Sequence, residues 1–276
     1  EHRDTYLPHL AESLGILALL QGASVAPENS LAGVAEAVRY YRELVNVNRE
    51  KYLGDLAGVL HTSARLHHSL GSQRTALEAV EESVVLYREI VVKGKKVLLN
   101  GLADAMGTMA TLQRENCQQK ESLATVREVV DLYSELAQVD RSAFLPRLAE
   151  WLNNLAVLQG EGGCQEASLV SSARSVEAYR QLVADNLEPY VKDLARSLIN
   201  LASSQDAAGQ WAAALSSARE AKGLYSRLAA GDSQTFTVGL AESFGLLGQV
   251  LTRLDRHSEA AAEFAEGVRT ILPSTK

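Results

Sequence analysis

Few side chains in this 276-residue chain have both the type and the spacing for chemistry. His61 and His68 lie seven residues apart, two turns along one face of a helix. A metal would need a third ligand, Arg65 lies between them and His67 points elsewhere, so no metal site is expected. Two cysteines, Cys117 and Cys164, make no disulfide framework and read as reduced surface thiols. No Gly-rich phosphate loop, nucleophile elbow or zinc-protease helix occurs, so neither a cofactor nor catalysis is expected. What remains are groups suited to binding. The carboxamides of Asn153, Asn154 and Asn200 each offer a donor and an acceptor, a match for an extended peptide backbone. Arg65, Arg114 and Arg196 can hold carboxylates. His61 and Gln249 complete the polar set.

Composition narrows the field. Apolar residues make up 46% of the chain and aromatics 5%, with Ala and Leu dominant, which favours helices that approach closely. A net charge of -7 argues against a nucleic-acid surface. No run of 18 apolar residues occurs, so no membrane span is expected, and no signal-peptide pattern is present. With two cysteines and no such pattern, a cytoplasmic setting is expected. The chain starts at Glu1 and reads as a piece of a longer protein or a processed form.

The elements that must position these residues recur. Leu-Ala pairs begin at Leu10, Leu56, Leu102, Leu148, Leu194 and Leu240, each 46 residues apart. Tyr41, Tyr87, Tyr133, Tyr179 and Tyr225 keep the same step. So does a large apolar residue four positions before each Leu-Ala pair: Tyr6, Tyr52, Leu98, Phe144, Tyr190 and Phe236. Counting these as repeat position 1 gives units 6–51, 52–97, 98–143, 144–189, 190–235 and 236–276. The chain is then a single array of six units.

Each unit reads as helix, turn, helix. Leu148, Ala149, Leu152, Leu155 and Ala156 share one helical face, with Pro146 placed just ahead of it, where a missing N–H costs nothing; Pro8 is its counterpart in the first unit. Gly71, Gly163 and Gly209 mark the turns. Leu77, Val80, Val84, Tyr87 and Ile90 form the apolar face of a second helix, whose glutamates face solvent. Polar linkers such as Asn46 to Lys51 and Ala184 to Glu188 join the units. Small residues recur where the helices of a hairpin touch: Ala18, Ala64, Ala110, Ala156, Ala202 and Gly248 on the first helix, and Ser30, Ala76, Ser122, Ser168, Ala214 and Ala260 on the second.

These residues resemble the tetratricopeptide repeat. Leu152-Asn153-Asn154-Leu155-Ala156 matches the family's first helix, Gly71, Gly163 and Gly209 its turn glycine, and Trp211 the aromatic that follows. Ala76 and Ala214, then Ala37, Ser83 and Ala221, match the small residues of its second helix. The family unit is about 34 residues and ends its second helix with proline. Here the equivalent positions hold Arg42, Arg88, Ser134, Arg180 and Ser226, so longer helices are expected. The resemblance implies an all-α fold, a right-handed α-solenoid of six hairpins whose concave groove is lined by the first helix of each. Repeat positions 7, 10, 11, 14 and 17 would face that groove, which places His61, Arg65, Arg114, Asn153, Asn154, Arg196, Asn200 and Gln249 there. Family members that bind peptides use asparagines at the position of Asn154 and Asn200; the alternative is that these two are solvated or bond locally to the neighbouring hairpin. The arginines bind a partner or belong to a salt-bridged face. The full basic-plus-asparagine set that clamps chaperone tails in some relatives is missing, so no chaperone partner is expected.

Such long units are similar to arrays in bacterial and fungal multidomain signalling proteins. That implies a protein or peptide partner within a larger sensor or scaffold. Packing on companion domains of the same chain is the alternative, as is self-association through the terminal repeats, where Phe264 and Val268 are expected to expose apolar surface.

Overall fold

The structure is a computed structural model that describes residues 3–22, 27–93, 98–185 and 188–272. Among these, the chain forms twelve α-helices: α1 (Arg3–Gly22), α2 (Pro27–Val47), α3 (Arg49–Ser69), α4 (Gln73–Val92), α5 (Leu99–Glu115), α6 (Gln119–Val139), α7 (Arg141–Glu161), α8 (Gln165–Ala184), α9 (Val191–Ala207), α10 (Trp211–Gly231), α11 (Ser233–Arg253) and α12 (His257–Ile271). A 3-10 turn, Glu188–Tyr190, precedes α9. Successive helices pair as hairpins, A helices odd-numbered and B helices even-numbered. The hairpins fall into two compact units, residues 1–136 and 137–276.

The turns inside the second to sixth hairpins have one cause. Gly71, Cys117, Gly163, Gly209 and Asp255, each 46 residues on from the last, adopt the left-handed conformation with φ of 57–76°. Each closes its A helix by the same two bonds. In α3, Gly71 N–H donates to the His68 carbonyl at 2.9 Å and Ser72 N–H to the His67 carbonyl at 2.8 Å. This places a left-handed residue just past the helix and satisfies carbonyls that would otherwise lack partners. Glycine suits the position because it has no Cβ; Cys117 and Asp255 occupy it without that advantage.

The joints between hairpins differ from the sequence expectation. The segment from Asn46 to Lys51 is no linker: α2 runs to Val47, α3 starts at Arg49, and Asn48 alone joins them. Asp140 and Asp232 form the same one-residue joint, 92 residues apart. In each, an extended backbone (φ −138° to −147°) turns the chain, and the side chain caps the next helix. The acceptors are Asn48 Oδ1 for Lys51 N–H (3.1 Å), Asp140 Oδ1 for Ala143 N–H (3.0 Å) and Asp232 Oδ1 for Thr235 N–H (3.1 Å). Such caps contribute about 1 kcal/mol each. Consequently α3, α7 and α11 have 21 residues, whereas α5 and α9 have 17. Helix length therefore alternates over two repeats.

The prolines also correct the expectation. Pro8 and Pro146 lie inside α1 and α7 rather than at their starts. Because Asp140 caps α7, Pro146 is its sixth residue, and Ser142 lacks an in-helix N–H donor there.

Large apolar side chains hold the stacking. In the N-terminal unit Tyr41, Leu44, Leu53, Leu56, Leu60 and Ile90 form one buried cluster; in the C-terminal unit Leu145, Val176, Tyr179, Leu182, Leu194 and Leu198 form another. Each such residue contributes about 1.5–3 kcal/mol on burial. Ala64, Ala110, Ala156 and Ala202 are buried where the helices of a hairpin touch. Opposite them, Ser122 and Ser168 hydroxyls donate to the Ala110 and Ala156 carbonyls, both at 2.8 Å.

The arginines that replace the family proline tie neighbouring B helices together. Arg42 meets Glu82 at 2.7 Å, Arg88 meets Glu128 at 2.5 Å and Arg180 meets Glu220 at 2.6 Å, each 40 residues apart. Such exposed pairs contribute little individually, about 0–1 kcal/mol.

Candidate functional site

The A helices carry every candidate residue, and their mutual stagger decides which of them are open. In the N-terminal unit His61 Nε2 lies 2.8 Å from Thr108 Oγ1, and His68 Nε2 lies 2.8 Å from Glu115 Oε2. In the C-terminal unit Asn200 Nδ2 donates to Asn153 Oδ1 at 2.9 Å, and Arg253 Nε faces Asp206 Oδ1 at 3.9 Å. All four pairs join a residue to the one 47 positions on. Within each unit, positions 10 and 11, and two turns on positions 17 and 18, of neighbouring A helices thus form a seam. Positions 7 and 14 flank it.

This stagger redistributes the sequence candidates. Asn153, at position 10, is 5% exposed and lies in the seam. Asn200 is bonded to it, so the local bond of the two sequence readings is present there; its Oδ1 and second N–H remain. Asn154 is half-buried. Arg196 pairs with Asp193 on its own helix at 2.9 Å, and Gln249 Nε2 donates to Asp206 Oδ2 at 2.7 Å. Arg65 and Arg114 are exposed, and neither guanidinium is hydrogen-bonded or ion-paired among the described residues. His61 is held neutral: burial and then Arg65 push its pKa down to about 4, against the opposing pull of Asp104. Thr108 directs its hydroxyl to the Asp104 carbonyl at 3.2 Å, so the imidazole donates to it from Nε2.

Two clefts open on these helices. The N-terminal unit holds one of about 510 Å³, in which Glu12 and Asp55 face Tyr41 and Tyr87 over Gly54 and Gly58. Burial, then Glu12, raises the pKa of Asp55, and burial raises Tyr41 to about 12. The C-terminal unit holds one of about 310 Å³ between α7 and α9, where Asn200 meets Gly160 and Ser204. Sequence reasoning missed both. The tyrosine column was the legible signal for the first. For the second it was the departure of Gly160 and Ser204 from their columns.

Inside the hairpins a further column appears. Gln113, Gln159 and Gln205 accept from Thr125, Ser171 and Ser217 twelve residues on, at 2.9, 2.7 and 2.8 Å. In the second hairpin the same positions hold His67 and Ala79, and the buried His67 Nδ1 accordingly has no partner. Cys117 and Cys164 are free and exposed. Among the described residues no three His, Cys, Asp or Glu side chains are grouped to hold a metal, and no helix is long and apolar enough to cross a membrane.

Neither a family model nor a curated protein sequence matches the chain. Solved structures do. BtubC (BKLC) from P. vanneervenii superposes with a TM-score of 0.66 at 18% identity, over 90% of this chain and 92% of that one. The apo form of RapI gives 0.59 at 8% identity, over 95% and 98%. YrrB, a TPR protein with an unusual peptide-binding site, gives 0.54 at 13% identity, over 85% and 93%. At these identities the likeness is one of fold, and the fold is a tetratricopeptide-like array of helical hairpins.

Proposed function

We propose that the chain is a non-catalytic binding module whose A-helix faces take up a protein segment or extended peptide, within a larger sensor or scaffold. One observation carries this reading. The B helices engage Arg42, Arg88 and Arg180 with glutamates of the next hairpin. The A faces leave Arg65 and Arg114 without such partners among the described residues, and leave Asn200 its Oδ1 and one N–H. Guanidinium and carboxamide together suit an extended chain bearing carboxylates. The peptide-binding site named for YrrB supports the reading by likeness of fold.

Peptides selected on the purified protein from a displayed random library would be titrated calorimetrically against Arg65→Ala, Arg114→Ala, Asn154→Ala and Asn200→Ala. Losses of about five- to ten-fold per contact residue are expected, the worth of one hydrogen bond. Unchanged affinity in all four variants would remove the reading.

A second reading, assembly through the terminal hairpins, rests on α12. Its Phe264, Val268 and Ile271 are 43%, 58% and 59% exposed, whereas the equivalent Val80, Val84 and Tyr87 of α4 are buried.

A further inference from the structure

The cleft between α7 and α9 has a specific origin in the repeat. At two other junctions, positions 17 and 18 of neighbouring A helices carry a polar pair across the seam. These are His68 with Glu115 at 2.8 Å and Asp206 with Arg253 at 3.9 Å. Between α7 and α9 the same two positions hold Gly160 and Ala207, and both line the cleft. Behind them Ser204 replaces the leucine or valine found at its position elsewhere, as Leu66, Leu112, Leu158 and Val250. Three side chains are thus truncated around one volume, from two helices, where the repeat otherwise fills it.

The walls state what fits. The floor hydroxyls are already engaged. Ser168 Oγ donates to the Ala156 carbonyl at 2.8 Å, Ser204 Oγ donates to the Asn200 carbonyl at 2.9 Å, and the two oxygens lie 2.9 Å apart. Both serines are buried, Ala156, Val157 and Ala207 add alkyl surface, and Gln165 and Ser203 line the cleft from exposed positions. The one ionisable lining group, Glu161, is exposed. A charged occupant would lose its water with no counter-charge at the floor. An alkyl group would lose nothing polar and gain the burial of its surface. At the edge, Asn200 keeps an acceptor and a donor, the pair that a peptide unit on either side of that alkyl group requires.

We propose that this cleft is an anchor pocket for one neutral aliphatic side chain, of leucine size, on an extended peptide whose backbone is held by Asn200. The proposal rests on the peptide-binding reading of the A faces and specifies where that reading acquires side-chain selectivity.

The test uses the ¹⁵N-labelled protein and four blocked amino acids: N-acetyl methylamides of leucine, alanine, lysine and glutamate. The leucine compound is expected to shift the Gly160, Ser204 and Ala207 amides saturably. The alanine compound should bind about ten-fold or more weaker, from the loss of three carbons, and the charged compounds should leave these amides unmoved. Two variants close the pocket independently. Gly160→His with Ala207→Glu transplants the pair formed by His68 and Glu115, and Ser204→Leu restores the side chain of four other hairpins. Circular dichroism verifies their helicity. Loss of the leucine-induced shifts in the folded variants supports the pocket. Persistence of the shifts in both, equal binding of the charged compounds, or no shift with any compound overturns it. The two proposals separate cleanly. If library peptides bind without any preference for an aliphatic residue, the pocket fails and the binding face stands. If the leucine compound binds and no peptide does, the binding face fails and the cleft remains a site for small neutral ligands.

Discussion

His61 shows how much one seam position controls. Its imidazole is buried, neutral and bonded to Thr108. With a folded pKa of about 4 against 6.5 unfolded, the unfolded chain takes up the proton first as pH falls. The stabilisation is therefore present above pH 6.5 and is lost as pH drops from there toward 4. Between pH 7.5 and 5 the loss is about 2 kcal/mol from this group alone. Urea unfolding at the two pH values should show it, and His61→Asn should reduce the difference. An unchanged difference in the variant would place the pH dependence elsewhere. Asn200 illustrates the same scale from the binding side. Its equivalence with Asn154 was legible in the sequence, but its bond to Asn153 was not, since no feature of the chain announces a one-residue stagger.

At the scale of the element, the hairpin turn and the A–B contact each contain a departure from the repeat that can be measured. Cys117 holds the left-handed position where three other turns have glycine. A Cβ in that conformation costs about 1 kcal/mol, so Cys117→Gly should raise stability by that order in thermal unfolding and remove an exposed thiol. A lower melting temperature would show that Cys117 makes a compensating contact. In the last hairpin Gly248 replaces the alanine of its column, and Phe264 fills the gap. A Cβ at Gly248 would lie 2.8 Å from the Phe264 ring. Gly248→Ala alone should cost about 1–3 kcal/mol through overpacking. Combined with Phe264→Ala, which restores the small partner seen as Ala218, the cost should largely vanish. Additive losses in the double-mutant cycle would contradict the coupling. The helix ends themselves were only partly legible. Asn48 and Asp140 are typical caps, but Asn48 reads as part of a polar linker until the neighbouring helices are seen to run up to it.

For the whole molecule the ends matter most. Interior hairpins bury Tyr87 or its counterpart, but α12 presents Val268 and Ile271 and α1 presents Tyr6 and Leu10, all of them exposed. The assembly reading predicts a weight-average mass that rises with concentration in sedimentation equilibrium. Val268→Lys with Ile271→Lys should abolish the rise, because burying two unpaired ammonium groups is strongly unfavourable. A constant monomer mass for the unmodified chain would exclude association through these faces.

The sequence by itself determined the period, the hairpins, the turn glycines and the columns of small residues. Each hairpin touches only its neighbours, so the information lies within one 46-residue unit and is repeated. Only the tertiary structure decided the pairing between units. A period of 46 aligns Asn154 with Asn200, but packing of adjacent A helices joins Asn153 to Asn200, 47 residues apart. That single-residue offset comes from how side chains of two helices interlock, which no repeat length encodes. It turns positions 10 and 11, and 17 and 18, into a seam, and brings Gly160 and Ala207 to the mouth of one cleft.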